Sequence, residues 1–173
     1  MNFSIRKTIR ALVAPHHKLR CPRRFWRSTL RELERRGARR HEAGVFLLGR
    51  EIDGQRIVEG TVFYDELDPH AYDSGVCVLE GDSFAKLWAL CRERKLTVVA
   101  DVHTHGGLAI QSESDRTNPM VAHAGHVAII VPDFASNSGP MSACGLYEYI
   151  GNHEWIDHSG KPAKRYFYVG FWS

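Results

Sequence analysis

Apolar positions in this chain switch between helical and strand spacing, and the switches mark out its elements. Phe25, Trp26, Leu30 and Leu33 fall on one face of a helix predicted from residue 25 to about 40, with Arg and Glu opposite. Gly37 weakens its last turn. Val45-Phe46-Leu47-Leu48-Gly49 is a short continuous apolar run, the pattern of a buried strand. Asp53-Gly54 predicts a tight turn into a second strand over 56–64, so the two form a hairpin. A strand is predicted over 76–79, then a helix over 83–94 capped by Asp82, with Phe84, Leu87, Trp88 and Cys91 on one face. Residues 97–102 carry the strongest central-strand signal and run into His103-Thr104-His105. A short helix is expected from Ser112 towards Ala124. Strands over 127–131 and 146–150, a hairpin partner near Trp155 and a last strand over 166–171 complete the pattern. Residues 1–24, broken by Pro15 and Pro22, read as an irregular or short-stranded basic arm, and 25–173 as one domain. The expected architecture is a mixed sheet flanked by helices, an α/β (α+β) fold.

Composition narrows this picture little. At 173 residues the chain can bury one real core, and 43% apolar with 25% charged residues is ordinary for a globular protein. No run approaches the roughly 18–20 apolar residues that span a membrane, and no apolar secretory segment opens the chain. Cys21, Cys77, Cys91 and Cys144 form no C-x-x-C pair, and Cys77 and Cys91 lie in apolar segments where buried reduced thiols are expected, and with them a cytoplasmic location. Charge is more informative. The net +3 hides thirteen Lys or Arg against two Glu in the first forty residues, with the remainder net negative. An acidic protein partner is the leading reading of that imbalance, ahead of a solvated face. A membrane partner is not expected, and nucleic acid is disfavoured.

The residues that carry chemistry lie after the central strand. Two histidines two apart on a strand point to the same side, so His103 and His105 share a face at the strand's end. Asp115 follows at a distance that lets the loop return a carboxylate to them. Two imidazoles and one carboxylate make the open three-ligand set of a catalytic zinc. With ten histidines an isolated H-x-H arises by chance, and Ser112-x-x-Asp115 alone is only a helix cap. The combination after a buried strand favours metal. Glu42, beside an apolar run, would in isolation be a helix-end surface group. Most other histidines have no matching pattern, although His123 and His126 follow the site helix and are placed to support a ligand from behind.

Glu42-Ala43-Gly44-Val45-Phe46-Leu47-Leu48-Gly49, then His103-Thr104-His105, then Ser112-Glu113-Ser114-Asp115 resemble the JAMM motif of the MPN+ metalloproteases. That motif reads as Glu before an apolar strand, H-[ST]-H, then S-x-x-D, and the resemblance covers roughly residues 25–172. It implies an MPN/JAB-like domain and zinc-dependent cleavage of peptide or isopeptide bonds after the C-terminus of a ubiquitin-like protein. It further implies Zn2+ on His103, His105 and Asp115, Glu42 as general base and Ser112 as hydrogen-bond donor to the oxyanion. Three positions depart from the family. Gly106 stands where a proline is usual, the loop from His105 to Ser112 is one residue shorter, and Gly44 comes one place early. The segments His126 to Pro132, Tyr147-Glu148 and Phe171-Trp172 look like JAMM peptidases of bacterial ubiquitin-like conjugation operons, often antiphage systems. Activating- and conjugating-enzyme homologues would then be partners. Processing of a sulfur-carrier protein is the alternative, ahead of a non-catalytic MPN scaffold.

Overall fold

The computed structural model describes residues 17–136 and 139–170. The first sixteen residues of the expected basic arm, and Phe171 and Trp172 at the expected last strand, lie outside them. β1 (Leu19–Pro22) leads directly into α1 (Arg23–Gly37), whose Trp26, Leu30 and Leu33 are buried. The hairpin of β2 (Gly44–Ile52) and β3 (Gln55–Phe63) follows. Its turn residues Asp53 and Gly54 both take positive φ, 53° and 73°, as a two-residue type I′ turn requires. A single turn, α2 (Tyr64–Leu67), precedes α3 (Gly81–Arg94), and then comes β4 (Thr97–Thr104). α4 (Glu113–Thr117), β5 (Val127–Val131), β6 (Gly145–Gly151), β7 (Glu154–Asp157), α5 (Ala163–Tyr166) and β8 (Phe167–Gly170) complete the order.

The strands form one eight-stranded mixed sheet, β7-β6-β5-β4-β2-β3-β1-β8. β2 runs antiparallel to β3 and β4, β4 is parallel to β5, and β1 lies parallel between β3 and β8. The sheet curls so that its two ends meet. Lys18 Nζ lies 3.4 Å from Glu148 Oε2, and the His158 and Tyr166 rings pack with centroids 4.6 Å apart. Period-two alternation along β2 divides the core. Val45 and Leu47 pack with α1 inside the curl, whereas Phe46 and Leu48 pack with Leu87 and Cys91 of α3 on the other face. The expected α+β sheet with helices on both faces is therefore what the chain builds.

Three local expectations are corrected. Residues 76–79 form no strand; Val76 and Val78 are half exposed, and the stretch runs as irregular chain against the end of β2. The helix expected over 112–124 stops at Thr117, because Pro119 disfavours helical backbone at Asn118, which sits at φ −125°, ψ 69°. Glu80 rather than Asp82 occupies the N-cap of α3; Asp82 lies in the first turn, where the helix dipole still favours it. All four cysteines are free, as expected. Arg36, part of the basic excess, is met by Asp65 and Glu66, whereas Arg35–Glu32 and Arg39–Glu34 pair the two glutamates already within the first forty residues. Among the described residues no helix is long and apolar enough to cross a membrane.

Candidate metal centre

Antiparallel pairing of β2 with β4 sets Gly44 opposite His103, and the ladder continues past the end of β2. Ala43 N donates to Thr104 Oγ1 and Thr104 N donates to Ala43 O, both at 3.0 Å. One more step of that register brings Glu42 level with His105, which is how residues so distant in sequence meet. Parallel β5 fixes the other flank: His105 N donates to Val131 O (2.9 Å), and Phe134 N donates to His105 O (2.8 Å). Because side chains alternate, Asp101, His103 and His105 share the face of β4 opposite the core residue Val102.

His103 Nε2 and His105 Nε2 stand 3.1 Å apart. Asp115 Oδ1 is 3.3 Å from the first and Asp115 Oδ2 3.3 Å from the second. Neighbouring donors around a tetrahedral ion with bonds of about 2.0–2.1 Å lie about 3.3–3.4 Å apart, so the spacing suits zinc. The donor types suit it too, two imidazole nitrogens and one carboxylate leaving a fourth position open. His103 Nδ1 is a buried nitrogen with no hydrogen-bond partner among the described residues, and the nearest acceptor to it is Asp101 Oδ2 at 3.6 Å. The residues present fit a metal ion.

Asp115 reaches the histidines from the first turn of α4. Ser112 caps that helix: Asp115 N donates to Ser112 Oγ (3.1 Å), and Asp115 Oδ2 accepts from Ser112 N (2.7 Å) and Ser112 Oγ (2.8 Å). Cap and candidate ligand, alternatives in the sequence, are thus compatible in one arrangement. Trp155 Nε1 donates to Arg116 O (3.1 Å) and ties the short helix to β7. Burial pushes the Asp115 carboxyl up, but His103, His105 and the Ser112 N–H outweigh it and hold the group well below the usual carboxylate range. Burial pulls His103 down, yet the Asp101 and Asp115 carboxylates outweigh that and raise it to about 10.

Glu42 lies at the edge of this cluster, its Oε1 3.7 Å from His105 Nε2. Its Oε2 accepts from Cys77 N (3.3 Å), and its own N–H donates to Gly75 O (3.1 Å). The irregular stretch that replaces the expected strand therefore clasps Glu42 by backbone and side chain. Glu42, Cys77, His103, Ser112, Asp115 and Trp155 are among the residues lining a cavity of 170 Å³. The structure brings together all five residues singled out from the sequence.

Gly106, where the motif that the sequence resembles has proline, is accounted for by its neighbour. A Cβ built there would lie 2.5 Å from the Phe134 ring. Gly106→Pro should therefore destabilise the protein by about 1–3 kcal/mol, read as a lower midpoint in urea. An unchanged midpoint would show that Phe134 moves aside freely.

Sequence reasoning missed Asp101. It is 1% exposed, accepts from His126 Nε2 at 2.6 Å and from Tyr64 OH at 3.4 Å, and its Oδ2 lies 3.6 Å from His103 Nδ1. Burial raises its carboxyl, but His103 and His126 outweigh this and keep it low. The available signal was a carboxylate inside an apolar strand, two residues before His103. Of the two histidines noted as supports, His126 is buried against Asp101, whereas His123 is exposed.

No family model matches the chain. A protein of Sinorhizobium fredii named "Probable metalloprotease y4jG" is 25% identical over 120 residues, spanning 69% of this chain and 74% of that protein. The chain is similar to it in sequence. In fold it is similar to a protein of Desulfitobacterium hafniense solved in solution, with a TM-score of 0.57, 17% identity, and 82% of this chain and 90% of that one covered. A Salinibacter ruber protein matches with a TM-score of 0.48 and 22% identity over 77% of this chain and 86% of that one.

Proposed function

We propose that this protein is a zinc-dependent peptidase or isopeptidase that cleaves after the C-terminal tail of a ubiquitin-like protein. The observation that carries the reading is the convergence of Glu42 on the His103, His105 and Asp115 donors, with Ser112 beside them. Similarity to a protein named as a metalloprotease supports it. Zinc held by His103, His105 and Asp115 would supply a Lewis acid for polarising a substrate carbonyl and acidifying a water molecule. Glu42 takes the water's proton at Oε1 and passes it to the leaving amine, while Cys77 N holds its Oε2 still. Ser112 Oγ turns from Asp115 to the developing oxyanion. Asp115 Oδ2 keeps the Ser112 backbone N–H meanwhile, so the turn leaves it partnered.

The cavity's shape supports a narrow substrate. At 170 Å³ it is smaller than the roughly 300–1,000 Å³ of sites for bulky ligands, as suits a tail of small residues. Exposed Val76 and Val78 on its wall offer an apolar edge along which an extended tail can lie. Resemblance to peptidases of bacterial ubiquitin-like conjugation operons supports precursor maturation or deconjugation, alongside activating- and conjugating-enzyme homologues, as the setting.

The test is elemental analysis of wild type and a His103→Ala/His105→Ala variant, with cleavage of a ubiquitin-like domain carrying a tail extension. About one zinc per chain is expected in the wild type and none in a folded variant, with cleavage following metal content. Equal metal in both, or none in either, would overturn the reading.

A further inference from the structure

We infer that Asp101 and His126 form a positioning pair that fixes the tautomer and orientation of His103; this rests on the metal reading above. His103 can offer Nε2 as a donor only when that nitrogen carries a lone pair, so the proton of the neutral ring must sit on Nδ1. In a buried ring that N–H needs an acceptor. The group facing it is Asp101 Oδ2, at 3.6 Å, with both residues almost fully enclosed. Among the described residues nothing hydrogen-bonds His103 Nδ1, and Asp101 Oδ2 is the acceptor placed to take its proton with a small shift.

Asp101 cannot turn away from this task, because its other contacts hold it. His126, the residue just before β5, bonds Oδ1 at 2.6 Å, and Tyr64 OH donates to Oδ2 at 3.4 Å. β4 and β5 pair in parallel, with Asp101 set against Ala128, so the sheet itself maintains the reach from His126 to Asp101. The order of action is His126 on Asp101, Asp101 on His103, and His103 on the metal. Neither Asp101 nor His126 touches the reacting atoms.

The isosteric change Asp101→Asn separates positioning from packing. The substituted amide can still accept from His126 through its oxygen, but its N–H₂ group turned towards His103 would donate to Nδ1. That places the ring proton on Nε2, the wrong nitrogen for a ligand. Supporting carboxylates of this kind are typically worth about 10- to 100-fold in metal affinity.

Zinc affinity is measured on the full chain by competition with a chromophoric chelator. The proteins are wild type, His103→Ala, Asp101→Asn, His126→Asn and the Asp101→Asn/His126→Asn double variant. Cobalt-loaded visible spectra report ligand geometry, and thermal melts of the metal-free proteins report folding. Expected are a weakening of about 10- to 100-fold in Asp101→Asn with an altered cobalt spectrum, and a smaller weakening in His126→Asn. The double variant should be no weaker than Asp101→Asn alone, because His126 acts through Asp101. Should Asp101→Asn fold poorly, His126→Asn alone decides the inference. Wild-type affinity and spectrum in the folded variants, with metal lost only in His103→Ala, would overturn the positioning role and leave the metal site standing. Wild type and His103→Ala behaving alike towards zinc would overturn the metal reading and this inference together.

Discussion

Replacing Glu42 with alanine should lower turnover by a factor of about 10² to 10⁴ while leaving metal content at the wild-type level. Glu42 lies outside the three-donor set, with its nearest oxygen 3.7 Å from His105 Nε2, so removing it leaves those donors intact. What disappears is the group proposed to move the proton. Alanine also removes the acceptor for Cys77 N, and the stretch that clasps Glu42 would loosen. Glu42→Gln isolates the two effects, since its amide oxygen can still accept from Cys77 N but cannot serve as a base. Steady-state kinetics beside elemental analysis should show both variants inactive and metal-replete. Metal loss in either would mean that Glu42 is a ligand, and substantial activity in Glu42→Gln would remove it from proton transfer.

The second large effect is expected from one methyl group. A Cβ added at Gly44 would sit 2.1 Å from Tyr64 Cε2 and 2.3 Å from Cδ2. Tyr64 has little room to retreat: it is fully buried, and its ring packs 4.7 Å from that of Phe46. Tyr72 OH also brackets Gly44, accepting from its N–H at 3.3 Å and donating to its carbonyl at 3.1 Å. Gly44→Ala should cost about 1–3 kcal/mol, a fall of about 2–12 °C in Tm. Since the displaced ring carries the hydroxyl that reaches Asp101, zinc affinity should fall with it. Calorimetry together with a zinc titration checks both. A normal Tm would mean that the ring has an alternative seat.

The candidate metal donors could be picked out in the sequence because each signal was local. His103 and His105 declare their common face through period two, and Ser112 to Asp115 lies within one helical turn. Glu42 was legible only through family resemblance, because its place depends on the β2–β4 register, a pairing between distant segments. Asp101 went unread for a similar reason. A lone carboxylate in an apolar strand signals a partner but does not say which, and His126 is supplied by the neighbouring strand. The 76–79 stretch misled because its apolar residues, Val76, Val78 and Leu79, have a strand-like pattern. Tertiary contacts with Glu42 and Ala71 decide its path instead. β1 was hard to see for the opposite reason. Four residues ending in proline carry almost no pattern, and their order comes from β3 and β8 on either side.

That last placement has a consequence for how the protein is made. β1 leaves the ribosome ahead of every other described strand, yet one of its two neighbours, β8, is the last described one. At about 5–20 residues per second, one edge of β1 waits on the order of 10 seconds for its partner. Through that interval the nascent chain presents Leu19 and Cys21 on an open strand edge, able to pair with a neighbouring chain. Shortening the chain before Phe167 would make that interval permanent, so truncated products should fail by aggregation even with His103, His105 and Asp115 all in place.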